Sequence, residues 1–183
     1  MKSSNICLNK YGHFIKNIDF DGMIKEIFED GDYDTLAELT KFYKITPKVL
    51  HDMTTIILDT IPKESLVFWE LIENIVSHTT TDEKTLGDIF NAMDEYLAKT
   101  SDIRGRKYNV LACIAGHPNS TPELIAKLGK IDIFDVQMRL ATNAAVPDNY
   151  LYLMIQNESL SKDIRFEAAK KLIEKHKETI KIE

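Results

Sequence analysis

Cys113 and His117 come closest to a reactive pair, because they lie four positions apart and would share one face of a helix. A catalytic thiol needs a nearby base or positive charge to lower its pKa, and a histidine one helical turn away supplies a base. Apolar residues surround Cys113, however, and Gly116 indicates that the helix ends before His117. We therefore predict a buried structural thiol. We predict no catalytic residue elsewhere, because the sequence has no phosphate-binding glycine loop and no serine nucleophile elbow.

The metal-binding residue types are present but scattered. None of the five histidines belongs to a His-x-x-x-His or Cys-x-x-Cys arrangement, and His51 next to Asp52 fits a solvated helix face. Residues 30–34 resemble the start of a calcium loop, yet Thr35 stands where the bend needs glycine and Lys41 where the bidentate glutamate belongs. We read this stretch as a helix end followed by a cap, and we predict no metal site and no cofactor.

A set of basic residues in the second half of the chain is the candidate partner-binding surface. In a helical stack, equivalent positions line up along one surface, where arginines bind phosphates or acidic partners. The alternative is that Arg139 and Arg165 pair with carboxylates such as Asp135 or Asp163 and tie neighbouring units together. The five candidates are Arg104, Arg106 and Lys107 before the repeat and Arg139 and Arg165 within it.

The charge and composition limit the possible classes of protein. The chain has 183 residues and a net charge of −6; residues 1–100 carry a balance of −8 and residues 101–183 a balance of +2. Two cysteines far apart do not form a disulfide framework and favour a reducing compartment. The first residues lack a signal-peptide core, and no apolar run approaches the ~20 residues of a membrane span. We expect a cytoplasmic protein with no membrane segment.

The hydrophobic pattern predicts about ten helices and no sheet. We expect residues 1–18 to form a strap of uncertain structure, residues 19–100 an N-terminal helical part, and residues 101–183 a helical repeat continuous with it. Helix starts are predicted at Thr46-Pro47, Ile61-Pro62 and Thr121-Pro122, because proline suits the first helical position. At the first and last of these, threonine caps the free amides. The helix after Pro62 has the widest apolar surface, including Trp69, and should be the most buried. Residues 100–106 are predicted to be a connecting turn.

Residues 109–169 contain the only recognisable internal repeat. Pro122-Glu123 recurs as Pro147-Asp148, at an offset of 25 that also places Leu128 on Leu153. The intervening helix should begin at Asp132 or Asp135, with Phe134, Met138 and Ala141 facing inward. Because such hairpins do not bury their apolar faces alone, we predict an all-α fold, an α-solenoid of stacked short hairpins.

These residues carry a family resemblance. Residues 115–124, with the sequence Ala-Gly-His-Pro-Asn-Ser-Thr-Pro-Glu-Leu, resemble the repeat of leucine-rich repeat variant proteins and related HEAT-like repeats, in which Asn-Pro-Asn-x-x-Pro links two short helices. Residues 135–141 are similar to that family's Asp-x-x-Val-Arg-x-x-Ala helix, and residues 163–169 resemble the same motif over a shorter stretch. The resemblance covers roughly residues 109–172. It does not imply the iron–sulfur cluster of the best-known member, because this chain has only Cys7 and Cys113.

Three functions remain open on the sequence alone. The first is a non-catalytic protein–protein interaction module, an adaptor, inhibitor or modulator that is conceivably encoded by a phage. The second is nucleic-acid binding through the basic set, including a helical-repeat DNA glycosylase; overall acidity and only four arginines oppose it. The third is an enzyme that uses Cys113 or an acidic pair. We expect the first, with a protein partner and no enzymatic activity.

Overall fold

The computed structural model describes residues 20–41, 45–95 and 101–180. Within these ranges the chain forms ten helices and no strand, which confirms the all-α prediction. The predicted strap, residues 1–18, lies outside the described residues. The helices are α1 (Phe20–Asp30), α2 (Tyr33–Thr40), α3 (Pro47–Thr60), α4 (Leu66–Ser77), α5 (Glu83–Glu95), α6 (Ser101–Gly116), α7 (Pro122–Leu128), α8 (Phe134–Thr142), α9 (Asp148–Gln156) and α10 (Lys162–Ile180).

Side-chain caps set the helix starts that the sequence marks most clearly. Thr46 accepts a hydrogen bond from the Val49 amide, and Thr121 accepts one from the Leu124 amide, each with proline at the first helical position. Asp32 likewise caps α2 through the Thr35 amide. The predicted starts at Thr46-Pro47 and Thr121-Pro122 are confirmed, because the local chemistry alone fixes these ends.

Two predicted boundaries are wrong where packing overrides local signals. α4 begins at Leu66, capped by Ser65, after a short turn that follows Pro62. The connecting turn predicted for residues 100–106 is wrong from Ser101 onward, because α6 already runs through these residues. α6 packs between α4 and α8 with buried Val110 and Ile114, and its first turns run through Gly105, which is exposed.

The start of α8 also differs from the prediction. Neither Asp132 nor Asp135 caps it; the helix begins at Phe134 without any side-chain cap, and Phe134 is exposed rather than inward-facing. Gln137 is buried instead, and its amide donates to the carbonyls of Gly129 and Ile131 at 3.0 and 2.9 Å. The turn before α8 is therefore held by a side chain from inside the helix.

The helices stack in two layers. The even-numbered helices α2, α4, α6, α8 and α10 each contact the next in order, and α1, α3 and α5 do the same in the other layer. Consecutive helices pack across the layers as hairpins. Because α6 contacts both α4 and α5, the helices on either side of residues 96–100 share one core. α4 is deeply buried, as predicted, and Trp69 is fully enclosed with its indole N–H donating to the Lys63 carbonyl at 2.7 Å.

Three turns, each joining an even helix to the next odd one, share one hydrogen-bond pattern. The residue that follows the even helix donates its amide to the carbonyl three residues back. Its carbonyl accepts from the amide three residues on, and its side chain accepts from the amide two residues on. These turn residues are His78 after α4, His117 after α6 and Asn143 after α8.

The same three side chains also connect the turns to one another. His117 Nε2 lies 3.0 Å from the His78 carbonyl oxygen, and Asn143 Nδ2 donates to the His117 carbonyl at 3.0 Å and to the Ala115 carbonyl at 2.8 Å. All three side chains are buried. We call His78, His117 and Asn143 the cap ladder, since each later member satisfies a buried carbonyl of the preceding turn.

The cap ladder corrects the predicted repeat register. Asn143 lies 26 residues after His117, and His117 lies 39 residues after His78. The offset of 25 is wrong because Pro122 is the first residue of α7, whereas Pro147 is the cap before α9. With an offset of 26, buried Leu128 corresponds to buried Met154, while Leu153 is 62% exposed.

Tyr150 packs its hydroxyl against the end of α7. A Cβ atom added to Gly129 would overlap Tyr150 Oη, whereas one added to Gly87 within α5 would meet no atom within 4 Å. We expect Gly129→Ala to lower the free energy of unfolding by about 1–3 kcal/mol because Tyr150 must move. Gly87→Ala should raise it by about 0.5–1 kcal/mol because alanine favours helix. Denaturant melts of both variants test this; equal effects would contradict it.

The cap ladder predicts a dependence of stability on pH. The Asn119 amide donates to His117 Nδ1, so Nε2 carries the proton given to the His78 carbonyl and the ring is neutral. Burial lowers the pKa of His117 below its ordinary value of 6.5. The neutral ring therefore contributes its full stabilisation at pH values above 6.5, the ordinary pKa. This stabilisation is lost as the pH falls below 6.5 towards the lower pKa of His117 in the folded state.

We expect His117→Ala to cost about 1–3 kcal/mol at neutral pH, because the buried His78 carbonyl loses its donor. His117→Asn places at this position the residue type found at Asn143 and removes the titrating ring. Its loss of stability between neutral and mildly acidic pH should be smaller than that of the wild type in denaturant melts. An acid slope unchanged in both variants would show that His117 does not carry it.

Candidate functional site

The structure places the five predicted partner-binding residues in different environments. Arg106 Nη1 lies 3.4 Å from Glu73 Oε2, and Lys107 is half-buried. Arg139 is exposed, whereas Arg165 is half-buried and its Nε atom is enclosed without a hydrogen bond. The Arg104 side chain lies outside the described part of the structure. Their role in partner binding stays a prediction.

Arg139 and Arg165 do not occupy equivalent positions. The buried residues Val136 and Leu140 of α8 match Ile164 and Ala168 of α10, so Arg165 corresponds to the buried Gln137 rather than to Arg139. The alternative that Arg139 and Arg165 pair with Asp135 or Asp163 is not seen, because neither arginine forms an ion pair within the described residues.

A cleft of about 380 Å³ opens on the outer surface of the even layer, between α4, α6 and α8. Each helix contributes a pair of polar side chains four residues apart, which places both on one face. We call it the three-helix cleft, lined by Glu73 and Ser77 from α4, Asn109 and Cys113 from α6, and Asp135 and Arg139 from α8.

Gly116 allows Arg139 to lie close against the end of α6. A Cβ atom at position 116 would be only 3.3 Å from Arg139 Cδ, and the Cβ and Cγ atoms of Arg139 would also lie within 4 Å of it. The alkyl part of Arg139 therefore packs on the glycine backbone while the guanidinium reaches into solvent at the cleft. This contact gives Gly116 a packing role in addition to ending the helix.

Glu73 is the most constrained charged group of the three-helix cleft. Its Oε2 atom faces Arg106, but its Oε1 atom is buried and has no hydrogen-bond partner among the described residues. Burial raises the pKa of the Glu73 carboxyl, while the charge of Arg106 and the nearby Asn109 side chain act in the opposite direction. A donor group entering the cleft would satisfy an oxygen that the described fold leaves unpaired.

Cys113 and His117 do not form the reactive pair that their spacing allows. Cys113 is half-exposed in the cleft, where its Sγ atom is 3.9 Å from the Ser77 hydroxyl. The imidazole of His117 is buried, and both of its nitrogens are used by the His78 carbonyl and the Asn119 amide. His117 is therefore engaged in the fold and not available as a base for this thiol. The prediction of a buried thiol is wrong, because Cys113 faces the open cleft.

The stretches considered for metal binding serve the fold. Asp32 caps α2 through the amide and hydroxyl of Thr35, as predicted for residues 30–34. His51 approaches Asp88 at 3.8 Å, and Asp52 lies 3.9 Å from Lys48. Among the residues that the structure describes, no three His, Cys, Asp or Glu side chains gather closely enough to hold a metal ion.

A second groove, of about 410 Å³, separates α5 from α7 in the odd layer. Two of its charged groups pair with each other: Lys127 lies 3.1 Å from Glu123 and also approaches the Phe90 ring at 6.0 Å. The three-helix cleft differs because it combines an arginine without an ion pair and an unsatisfied carboxylate oxygen. The sequence identified Arg139, but it missed Glu73, whose signal was an acidic residue beside the apolar rows of α4.

No match was found to any protein-family model, any curated protein or any solved structure. Within the described residues, no helix has both the length and the apolar character that crossing a bilayer requires. The arrangement of side chains in the cleft is therefore the main basis for a functional proposal.

We expect the Arg106–Glu73 ion pair to be weakly but measurably stabilising. A double-mutant cycle with Arg106→Gln and Glu73→Gln should give a coupling of about 0.5–1 kcal/mol, because both side chains keep some exposure. In Arg106→Gln the pKa of Glu73 should rise further, which NMR titration of the carboxyl measures. A zero coupling together with an unchanged pKa would mean that Arg106 is not tied to α4 in solution.

Proposed function

We propose that this chain is a non-catalytic protein-binding module, a helical-repeat protein similar to the leucine-rich repeat variant and HEAT-like families. The observation that carries the proposal is the exposed guanidinium of Arg139, which has no ion pair in the described structure although Asp135 lies one turn away on the same helix. Arginines of this kind are common anchors in protein interfaces because they form bidentate bonds with carboxylates.

The three-helix cleft has a charge pattern suited to a segment that carries both signs. Arg139 would bind a carboxylate of the partner, and the unpaired Oε1 of Glu73 would accept a hydrogen bond from an amide or ammonium group. Asp135 adds a second acceptor on the same surface. A partner segment with an acidic residue and a nearby lysine, arginine or amide side chain meets these requirements.

The same cleft argues against the two alternatives. A nucleic-acid backbone would bring phosphates next to Glu73 and Asp135, which repel them, and Arg106 is already paired with Glu73. The version of the enzyme alternative that uses Cys113 loses its base, because His117 belongs to the cap ladder. The proposal includes a cytoplasmic location without a cofactor, supported by the two widely spaced cysteines.

Affinity capture from an extract of the native cell tests the proposal. Proteins bound by the wild-type chain should be depleted at least ~10-fold with Arg139→Glu, because one lost charge-assisted contact and a new repulsion together exceed about 1.4 kcal/mol. Lys130→Glu makes the same change of charge at an exposed residue outside the cleft and should leave capture unchanged.

Quantitative mass spectrometry gives the readout, and thermal melts verify that both variants are folded. Equal capture by wild type and Arg139→Glu would move the interface away from the cleft. The nucleic-acid alternative would replace the proposal if two results came together. The first is that no protein partner is captured, and the second is that labelled duplex DNA binds the wild type at low salt but does not bind Arg139→Glu.

A further inference from the structure

Exposed large apolar side chains are concentrated at the C-terminal end of the stack. Of six such residues in the described structure, five belong to α8, α9 and α10, and Leu66 of α4 is the other. Phe166 and Ile173 of α10 are 67% and 55% exposed. Exposed apolar groups that cluster in this way are typical of interaction surfaces.

On α10 the two apolar residues alternate with lysines along one stripe. Spacings of four, four, three and four residues place all five side chains on one face, and they span about 22 Å of helix. All five are exposed. We call this the α10 stripe: Lys162, Phe166, Lys170, Ile173 and Lys177.

The α10 stripe lies on the side of the helix opposite its core contacts. Ile164, Ala168 and Leu172 are buried where α10 packs against α8 and α9. Phe166 and Ile173 fall roughly 150° around the helix from these residues at 100° per residue. They therefore contribute little to the core, and the fold gives no reason for two large apolar residues at these positions.

The docking of α10 itself does not use the stripe. Lys175 donates to the Val146 carbonyl at 2.8 Å and lies 2.6 Å from Asp148 Oδ1, which fastens α10 to the turn before α9. Within the stripe, Lys170 lies 3.4 Å from half-buried Glu167, while Lys162 and Lys177 form no ion pair with described residues. The stripe thus offers positive charge at its two ends, and in its middle Lys170 shares its charge with Glu167.

We propose that the α10 stripe binds an acidic amphipathic helix of a partner protein. Within the chain, each even helix lies beside the next, and a helix laid on the exposed face of α10 repeats this arrangement. Glutamate or aspartate side chains of the bound helix pair with the three lysines, and its apolar residues cover Phe166 and Ile173. The charge of the stripe excludes a second copy of α10 laid against the first, because lysines would face lysines.

An anionic membrane is the other ligand with this chemistry, and two observations disfavour it. The α10 stripe presents only two apolar side chains for insertion, and the chain as a whole carries a net charge of −6, which an anionic surface repels. The proposal does not depend on the three-helix cleft, because it uses other residues on another helix.

Fluorescence anisotropy with a synthetic peptide tests the proposal. The probe is a labelled, alanine-based helical peptide of about 20 residues that repeats the stripe spacing, with Glu for each Lys and Leu for Phe and Ile. We expect a Kd on the order of tens of micromolar at low salt, weakened several-fold at ~0.3 M salt. The same peptide with Lys in place of Glu is the control probe and should not bind.

Matched variants locate the binding site. Phe166→Glu with Ile173→Glu should weaken peptide binding at least ~10-fold. The control, Leu66→Glu with Leu153→Glu, alters two side chains of similar exposure, 61% and 62%, outside the stripe. It should leave peptide binding unchanged. Because all four side chains are more than half exposed, both double variants should fold, which circular dichroism melts verify.

Three results would overturn the proposal. The first is no binding of the acidic peptide at several hundred micromolar, on the order of ten times the expected Kd. The second is equal binding by the two double variants. The third is stronger, Phe166-dependent binding to vesicles of phosphatidylcholine with phosphatidylglycerol than to the peptide, which would assign the stripe to a membrane surface. Loss of partner capture in Arg139→Glu is a separate measurement and does not affect these outcomes.

Discussion

The need to satisfy carbonyl groups at the buried helix ends is the constraint on which this structure depends. A helix leaves its last carbonyls without partners, and in a stack of hairpins these ends are pressed against the neighbouring turn rather than exposed to water. The cap ladder meets the need with one residue per unit, because an imidazole or a carboxamide has both an acceptor for its own turn and a donor for the preceding one. Leucine at these positions would supply neither group, and lysine would supply only a donor.

The three-helix cleft is a result of this constraint. The cap ladder fixes where α4, α6 and α8 end relative to one another. Residues at the same distance from these ends therefore lie side by side on neighbouring helices. Cys113 and Arg139 both lie four residues before the cap ladder and are therefore level with each other. The positions of these exposed cleft residues thus depend on the buried hydrogen bonds of the cap ladder.

The sequence predicted the helical class and several helix starts because these depend on local chemistry, as at Thr121 and Pro122. It failed where local signals do not decide: α6 continues through a stretch rich in charge and glycine, and α8 begins at Phe134, after a turn held by Gln137, rather than at Asp132 or Asp135. The repeat register was wrong by one residue because proline serves as the first helical residue in one unit and as the cap in the next. Arg139 was identifiable as an unusual residue type, whereas Glu73 becomes notable only once the burial of one of its oxygens is known.

The two spacings of the cap ladder, 39 and 26 residues, have a consequence for how such a stack changes its dimensions. α5 and α6 have 13 and 16 residues, whereas α7 and α8 have 7 and 9, so each helix of the longer hairpin exceeds its counterpart by about two turns. The extra turns lie at the edge away from His78 and His117. Whole turns inserted or deleted together in both arms of a hairpin at that far edge would widen or narrow the stack while its hydrogen-bonded edge kept a constant geometry.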